Sequence, residues 1–141
     1  MIIVDTSGLL AAIDASQTGH VRAAAAIRRS DPPRSLSPFV LAELDYLLST
    51  RVSDEAARAL LREVADGVYQ LESFGPVDVT RAIEILDQFQ DLHLGLADAS
   101  LVVLAERYGT NEILTFDERH FRALRDALGR PFRILPADEV G

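Results

Sequence analysis

MIIVDTSGLL, residues 1–10, sets an apolar, β-branched run directly against a carboxylate. Ile2, Ile3 and Val4 show no polar alternation, which is the pattern of a strand buried on both faces. Asp5 follows without a linker, and Thr6, Ser7 and Gly8 come next. Strands buried on both faces belong to parallel sheets covered by helices. In open sheets of that kind ligands bind beyond the carboxyl ends of the strands, near a reversal in strand order. Asp5 stands at such an end. If it has a function, further acids should follow other strands or open other helices on the same edge.

The rest of the chain fits an α/β order. Strands are expected at 35–37, 68–71, 112–115 and 132–135, each a short run. Ser7 to Asp14 reads as a helix with Asp5, Thr6 or Ser7 as its cap, and His20 to Arg29 as a second. Ser37 and Pro38 open a third, carrying FVLAELDYLLST, with Ser as N-cap and Pro at the first helical position. Ser53 starts a fourth that Gly67 follows. Val79 to Phe89, Ala97 to Tyr108 and Glu118 to Leu128 complete the helices, with Asp78 as a cap and Gly109 and Gly129 as stops. DPPRS, residues 31–35, is a loop within one domain that spans residues 1–141.

Composition narrows the chemistry. Hydrophobic residues make up 48% of the chain, enough for a sizeable core. No apolar run is long enough for a membrane span, no basic segment opens the chain as in a signal peptide, and there is no cysteine. A cytoplasmic protein that does not enter a membrane is therefore expected. The net charge of −8 argues against a general nucleic-acid coat but not against a nuclease, because a divalent cation offsets acidic ligands locally. All 14 basic residues are arginine. The absence of lysine, which fits a GC-rich genome, removes the P-loop and Schiff-base chemistry.

Three acids join Asp5. Glu43 lies early in the helix after Pro38, Asp98 opens ADASLVVLAERYG, and Asp117 follows EILTF. Each has a purely structural role open to it: Asp117 and Asp5 as caps, Asp98 as a charge favoured at a helix start. On the third helix Glu43 and Asp45 flank the apolar stripe of Val40, Leu41, Leu44, Leu47 and Leu48 about equally, so spacing does not choose between them. Asp98 is the most informative. Leu101, Val102, Val103 and Leu104 cover every side of its helix, so the helix is buried. A buried carboxylate without a partner is strongly unfavourable, and a cluster of them more so. Bound Mg²⁺, or Mn²⁺ in its place, resolves this, since hard cations take oxygen ligands. Such sites hold phosphate substrates and activate a water.

V-D-T-S after the first strand, A-E-L in the third helix, L-A-D-A-S opening a buried helix and L-T-F-D-E-R-H-F near the end occur in this order. Together they resemble the PIN-domain ribonucleases, most closely the VapC-type toxins of bacterial toxin–antitoxin pairs. The resemblance spans nearly the whole chain. It implies a PIN-like three-layer fold, with a central short-stranded parallel sheet flanked by helices. It implies Asp5, Glu43, Asp98 and Asp117 as the catalytic, metal-holding acids, and so prefers Glu43 to Asp45. Asp5 and Asp98 would be the main ligands, with Glu43 and Asp117 holding a water or a second ion. Thr6, Ser7 and Thr115 match positions where a hydroxyl supports the site. Also implied are a metal-dependent endoribonuclease that leaves 5′-phosphate and 3′-hydroxyl ends, an RNA substrate, a homodimer and a VapB-type antitoxin.

Other residues are less informative. His20 and His93 read as surface or packing residues, while His120, Arg119 and Arg122 stand near Asp117 and could reach RNA. Tyr46 could stack on a base or pack, and Arg22, Arg28 and Arg29 form a basic patch or a polar helix face. Two alternatives compete with the nuclease. One is a non-catalytic PIN-like binding module whose acids are caps and ion pairs. The other is a receiver or phosphatase domain, which the missing lysine disfavours.

Overall fold

The computed structural model describes residues 1–139, so the last two residues of the expected 1–141 domain lie outside the described residues. Five parallel strands form one sheet: β1 (Ile2–Val4), β2 (Arg34–Leu36), β3 (Gln70–Leu71), β4 (Glu112–Leu114) and β5 (Arg133–Leu135). Their order across the sheet is β3-β2-β1-β4-β5. The chain steps outward from β1 to β2 and β3, then crosses back to place β4 on the other side of β1. The reversal therefore lies between β1 and β4, where open α/β sheets form their ligand crevice.

The register aligns the strand ends. Leu71 pairs with Leu36, Leu36 with Val4, Val4 with Leu114, and Leu114 with Leu135. The residues that follow (Glu72, Ser37, Asp5, Thr115 and Pro136) thus share one edge. Asp5 donates its backbone N–H to the Leu114 carbonyl at 2.9 Å, which locks the two strand ends at the reversal together.

The helices are α1 (Thr6–Ile13), α2 (His20–Arg29), α3 (Pro38–Arg51), α4 (Asp54–Ala65), α5 (Pro76–Gln88), α6 (Leu96–Tyr108) and the short α7 (Glu118–Phe121), with a 3-10 turn at Gln90–Leu92. They pack in consecutive pairs, α1 on α2, α3 on α4 and α5 on α6. The core runs through Ile2, Ile3 and Val4, the Val40–Leu44–Leu48 face of α3, and α6 from Ala99 to Ala105, all buried. The expectation that α6 is buried on all sides holds, and the α/β class holds with it. Ser37 caps α3 through Phe39 N–H and Ser53 caps α4 through Ala56 N–H, as their sequence positions predict. Gly8 is required at the start of α1, because a Cβ there would lie 2.4 Å from the Leu114 carbonyl oxygen. This close approach seats α1 directly on the end of β4.

Several boundaries differ from expectation. α5 begins at Pro76 rather than Val79, and Asp78 sits inside its first turn, accepting from the Gly75 N–H at 2.8 Å. The strand expected at 68–71 is paired only at Gln70 and Leu71, and β2 ends at Leu36 because Ser37 is already the cap of α3. The largest correction is the last helix. The sequence predicts Glu118 to Leu128, but α7 ends at Phe121. Asp126 is the physical reason: its carboxylate accepts from the N–H groups of Leu128 and Arg130 and from the Arg130 guanidinium. A short polar side chain that binds nearby backbone offers the chain an alternative to the helix. Gly129, at φ 77°, then turns the chain into β5.

Candidate metal centre

Asp5 is held by the element ends around it. Its backbone leaves β1 in an extended conformation and opens α1, but its carboxylate does not cap that helix. Instead Asp5 Oδ2 accepts from Thr115 Oγ1 at 2.7 Å and from Ser7 Oγ at 3.3 Å. Thr115 also accepts from the Asp117 N–H at 2.9 Å, and Ser7 from the Phe116 N–H at 2.9 Å. The two hydroxyls therefore tie the end of β4 to the start of α1 and fix the acid between them. Asp5 is 6% exposed. Burial pushes its carboxyl up from 3.8 to about 6, and the charges of Asp98 and Asp117 push the same way. The Thr115 hydroxyl and the Thr6 backbone oppose this without cancelling it.

The other three acids reach the same place from three different elements. Asp5, Glu43, Asp98 and Asp117 all line one cavity of about 570 Å³ over the reversal in the sheet. Glu43, in the second turn of α3, accepts from Thr6 Oγ1 at 2.8 Å. Asp98, in the first turn of α6, accepts from the Gly95 N–H at 3.1 Å. Asp117 caps α7, accepting from the His120 N–H at 3.1 Å, and its other oxygen faces His120 Nδ1 at 2.7 Å. So the helix-start role read as an alternative for Asp98 and the capping role read for Asp117 are real, yet both residues line the cavity as well. Asp45 is absent from the lining, which separates it from Glu43 where the helical pattern could not.

The donor set is hard oxygen throughout, with supporting hydroxyls and no sulfur. That chemistry fits Mg²⁺ or Mn²⁺ rather than a soft metal. Among the described residues no three acidic or histidine side chains are already gathered around one point at ligand distance. Each acid is held by a partner of the chain itself: Asp5 by Thr115, Glu43 by Thr6, Asp98 by Gly95 and Asp117 by His120. The fit rests on four acids lining one cavity; the raised Asp5 carboxyl reflects chiefly its burial, to which the charges of Asp98 and Asp117 add.

A family model for the PIN domain matches residues 2–127. This chain belongs to the PIN domain family. Among curated PIN relatives, the chain is 45% identical over 135 residues to Ribonuclease VapC26 of Mycobacterium tuberculosis (strain ATCC 25618 / H37Rv), covering 96% of this chain and all of that one. Among solved structures, it resembles Mycobacterium tuberculosis VapC20, a sarcin–ricin loop cleaving toxin, with a TM-score of 0.77 at 26% identity over 83% of this chain and 90% of that one. The PIN-like architecture expected from the sequence is thus the observed one.

Residues expected near the site divide clearly. Thr6, Ser7 and Thr115 all contact its acids. Arg122 does not face the cavity, because its guanidinium is held by Glu118 and by both oxygens of Asp138. His20 binds the Ala11 carbonyl, which is a packing role. Tyr46 is exposed on α3. Sequence reasoning missed Arg51, Gln17, Thr18 and Phe116, which also line the cavity. Arg51 alone had a usable signal, since it lies on the same helical face as Glu43, eight residues on.

Proposed function

We propose that this PIN domain is a metal-dependent endoribonuclease acting as the toxin of a toxin–antitoxin pair. One observation carries the reading: four acids from separate elements line one cavity at the strand-order reversal, with Asp5 buried among them and its carboxyl pushed up to about 6. The relatives named Ribonuclease VapC26 and VapC20 support RNA as the substrate class. A bound Mg²⁺ or Mn²⁺ supplies a water nucleophile at neutral pH and stabilises charge on the scissile phosphate. Asp5 and Asp98 are the proposed main ligands, with Glu43 and Asp117 completing the acidic wall.

The chain's own residues prepare that centre. Thr115 and Ser7 donate to Asp5 and favour its ionised form, which is the form able to bind a cation. Thr6 orients Glu43 across the cavity. Asp117 holds His120 by its Nδ1 at the end of the site. Water attack on phosphorus with departure of the 3′ oxygen would leave 5′-phosphate and 3′-hydroxyl ends, and no cyclic phosphate forms because no ribose hydroxyl is the nucleophile.

The binding-module alternative accounts for Asp98 and Asp117 as helix-start residues. It gives no reason for Asp5, which is buried, caps nothing and has no cationic partner among the described residues. We further infer a homodimer and a VapB-type antitoxin as partners. Exposed apolar side chains such as Val21 on α2 and Val77 and Ile83 on α5 support association. No helix among the described residues is long and apolar enough to cross a membrane.

The test is cleavage of total bacterial RNA by purified protein with Mg²⁺ or Mn²⁺ and with EDTA, alongside Asp98→Asn. A discrete cut with 5′-phosphate ends, lost in EDTA and in the variant, is the expected result. A cut that persists in EDTA, or equal cutting by a folded Asp98→Asn protein, would overturn the reading.

A further inference from the structure

The acid-lined cavity also contains a cation. Arg51, the last residue of α3, lines it together with Asp5, Glu43, Asp98 and Asp117. Glu43, Leu47 and Arg51 follow one another at four-residue spacing, and all three line the cavity, so a single stripe of α3 forms this wall. Eight residues of helix separate the backbones of Glu43 and Arg51 by about 12 Å along the axis. Among the described residues Arg51 has no carboxylate oxygen within 4.0 Å. Arg51 is the one basic side chain among the described residues that line the cavity. The arginine at this acidic mouth therefore stands off from the acids with its donors uncommitted to any of them.

We propose that Arg51 is a substrate-binding residue that grips a backbone phosphate neighbouring the one that is cut. The proposal rests on the ribonuclease reading above. RNA must bring its phosphates to a wall of carboxylates that repels them, and a cation at the rim offsets that repulsion where the divalent ion does not. A guanidinium is suited to the task, because its planar fork meets two phosphate oxygens at once. Its separation from the acids assigns it to a neighbouring phosphate rather than the scissile one. A phosphate contact fixes the register of the strand and carries no base information, so Arg51 positions the RNA without choosing its sequence.

The test compares wild type, Arg51→Ala, Arg51→Lys and Arg58→Ala on a short synthetic RNA spanning the cut mapped in total RNA. Arg58 is an exposed arginine of α4 outside the cavity and reports a general charge effect. The expected result for Arg51→Ala is a KM raised about tenfold, as for loss of one charge-assisted contact, with the loss falling on KM rather than kcat. The salt dependence of KM should become shallower by about 0.7 in the log–log slope, the value for one phosphate contact on a single strand. Arg51→Lys should recover the slope but not the full affinity, and Arg58→Ala should match wild type. Mn²⁺ binding by Arg51→Ala should be no weaker than by wild type. An unchanged KM and slope in Arg51→Ala, with wild type still cutting, overturns the role of Arg51 and leaves the nuclease reading intact. Equal effects of the Arg51 and Arg58 variants, or weakened Mn²⁺ binding, overturn it as well. A wild-type protein that makes no cut overturns the nuclease reading, and the role of Arg51 falls with it.

Discussion

Asp5→Asn should stabilise the metal-free protein at neutral pH and lose that advantage in acid. Asp5 ionises near pH 6 in the fold against 3.8 ordinarily, chiefly because it is buried. The folded chain thus holds this proton more tightly than the unfolded chain. Below pH 3.8 both states are protonated and the acid imposes no penalty. Between 3.8 and about 6 the folded state carries the extra proton, so stability falls as pH rises. Above about 6 the whole penalty is present. A difference of about two pH units, at roughly 1.4 kcal/mol each, makes it about 3 kcal/mol. Asparagine keeps an oxygen for the Thr115 hydroxyl and removes the charge. Urea unfolding in EDTA, from about pH 4 to about pH 8, measures the difference between the two proteins. The variant should be more stable by about 2–3 kcal/mol at the neutral end, with the difference fading at the acidic end. Saturating Mg²⁺ should reverse the order, because ligand binding stabilises only the form that binds it well. A variant less stable than wild type at neutral pH without metal, or a difference that does not move with pH, refutes the claim that Asp5 is a buried charge awaiting a cation.

Three further outcomes follow from the contacts. Thr115→Val removes the hydroxyl that donates to Asp5 at 2.7 Å, so calorimetry should show Mn²⁺ affinity lowered about 10-fold or more, with the pH dependence of binding moved upward. Gly8→Ala drives a Cβ to 2.4 Å from the Leu114 carbonyl oxygen, and urea unfolding should show a loss of about 3 kcal/mol. Glu72→Gln puts an amide against the hydroxyls of Ser35 and Tyr108 and the amide of Gln70, all of which donate to the Glu72 carboxylate. It should lower stability by about 1–3 kcal/mol yet leave RNA cleavage in place, because Glu72 lies at the β3 end away from the cavity.

The sheet was legible because a strand buried on both faces has a plain signature. MIIV is such a run, and the alternation of strands and helices after it admits few topologies. Glycines and caps were also legible where chemistry is local: Ser37, Ser53 and Gly109 stand where the sequence places them. The last helix was misread because helical periodicity from Glu118 onward continues past the point where Asp126 binds the backbone ahead of it. That bond depends on a turn closed by Arg130, which no periodicity reveals. Of the site, Asp5 could be argued from the buried strand it ends and Asp98 from the buried helix it opens, although the Asp98 side chain itself is only half-buried. Glu43 could not be told from Asp45 by the helical pattern, because the choice depends on which side of α3 faces α1 and α6. The cavity shows that side, and Arg51 with it. The size of the Asp5 shift was likewise unreadable, since it comes chiefly from burial under the folded chain, with smaller contributions from Asp98 and Asp117, more than ninety residues away.

The most direct test of the central claim is anomalous diffraction from crystals of this protein soaked in Mn²⁺. A manganese peak is expected in the cavity, bound by Asp5 and Asp98 oxygens with Glu43 and Asp117 beside it, and absent from Asp98→Asn crystals. A fully soaked crystal with no peak there, or with its only peak elsewhere on the surface, would contradict the claim that these four acids form a metal centre.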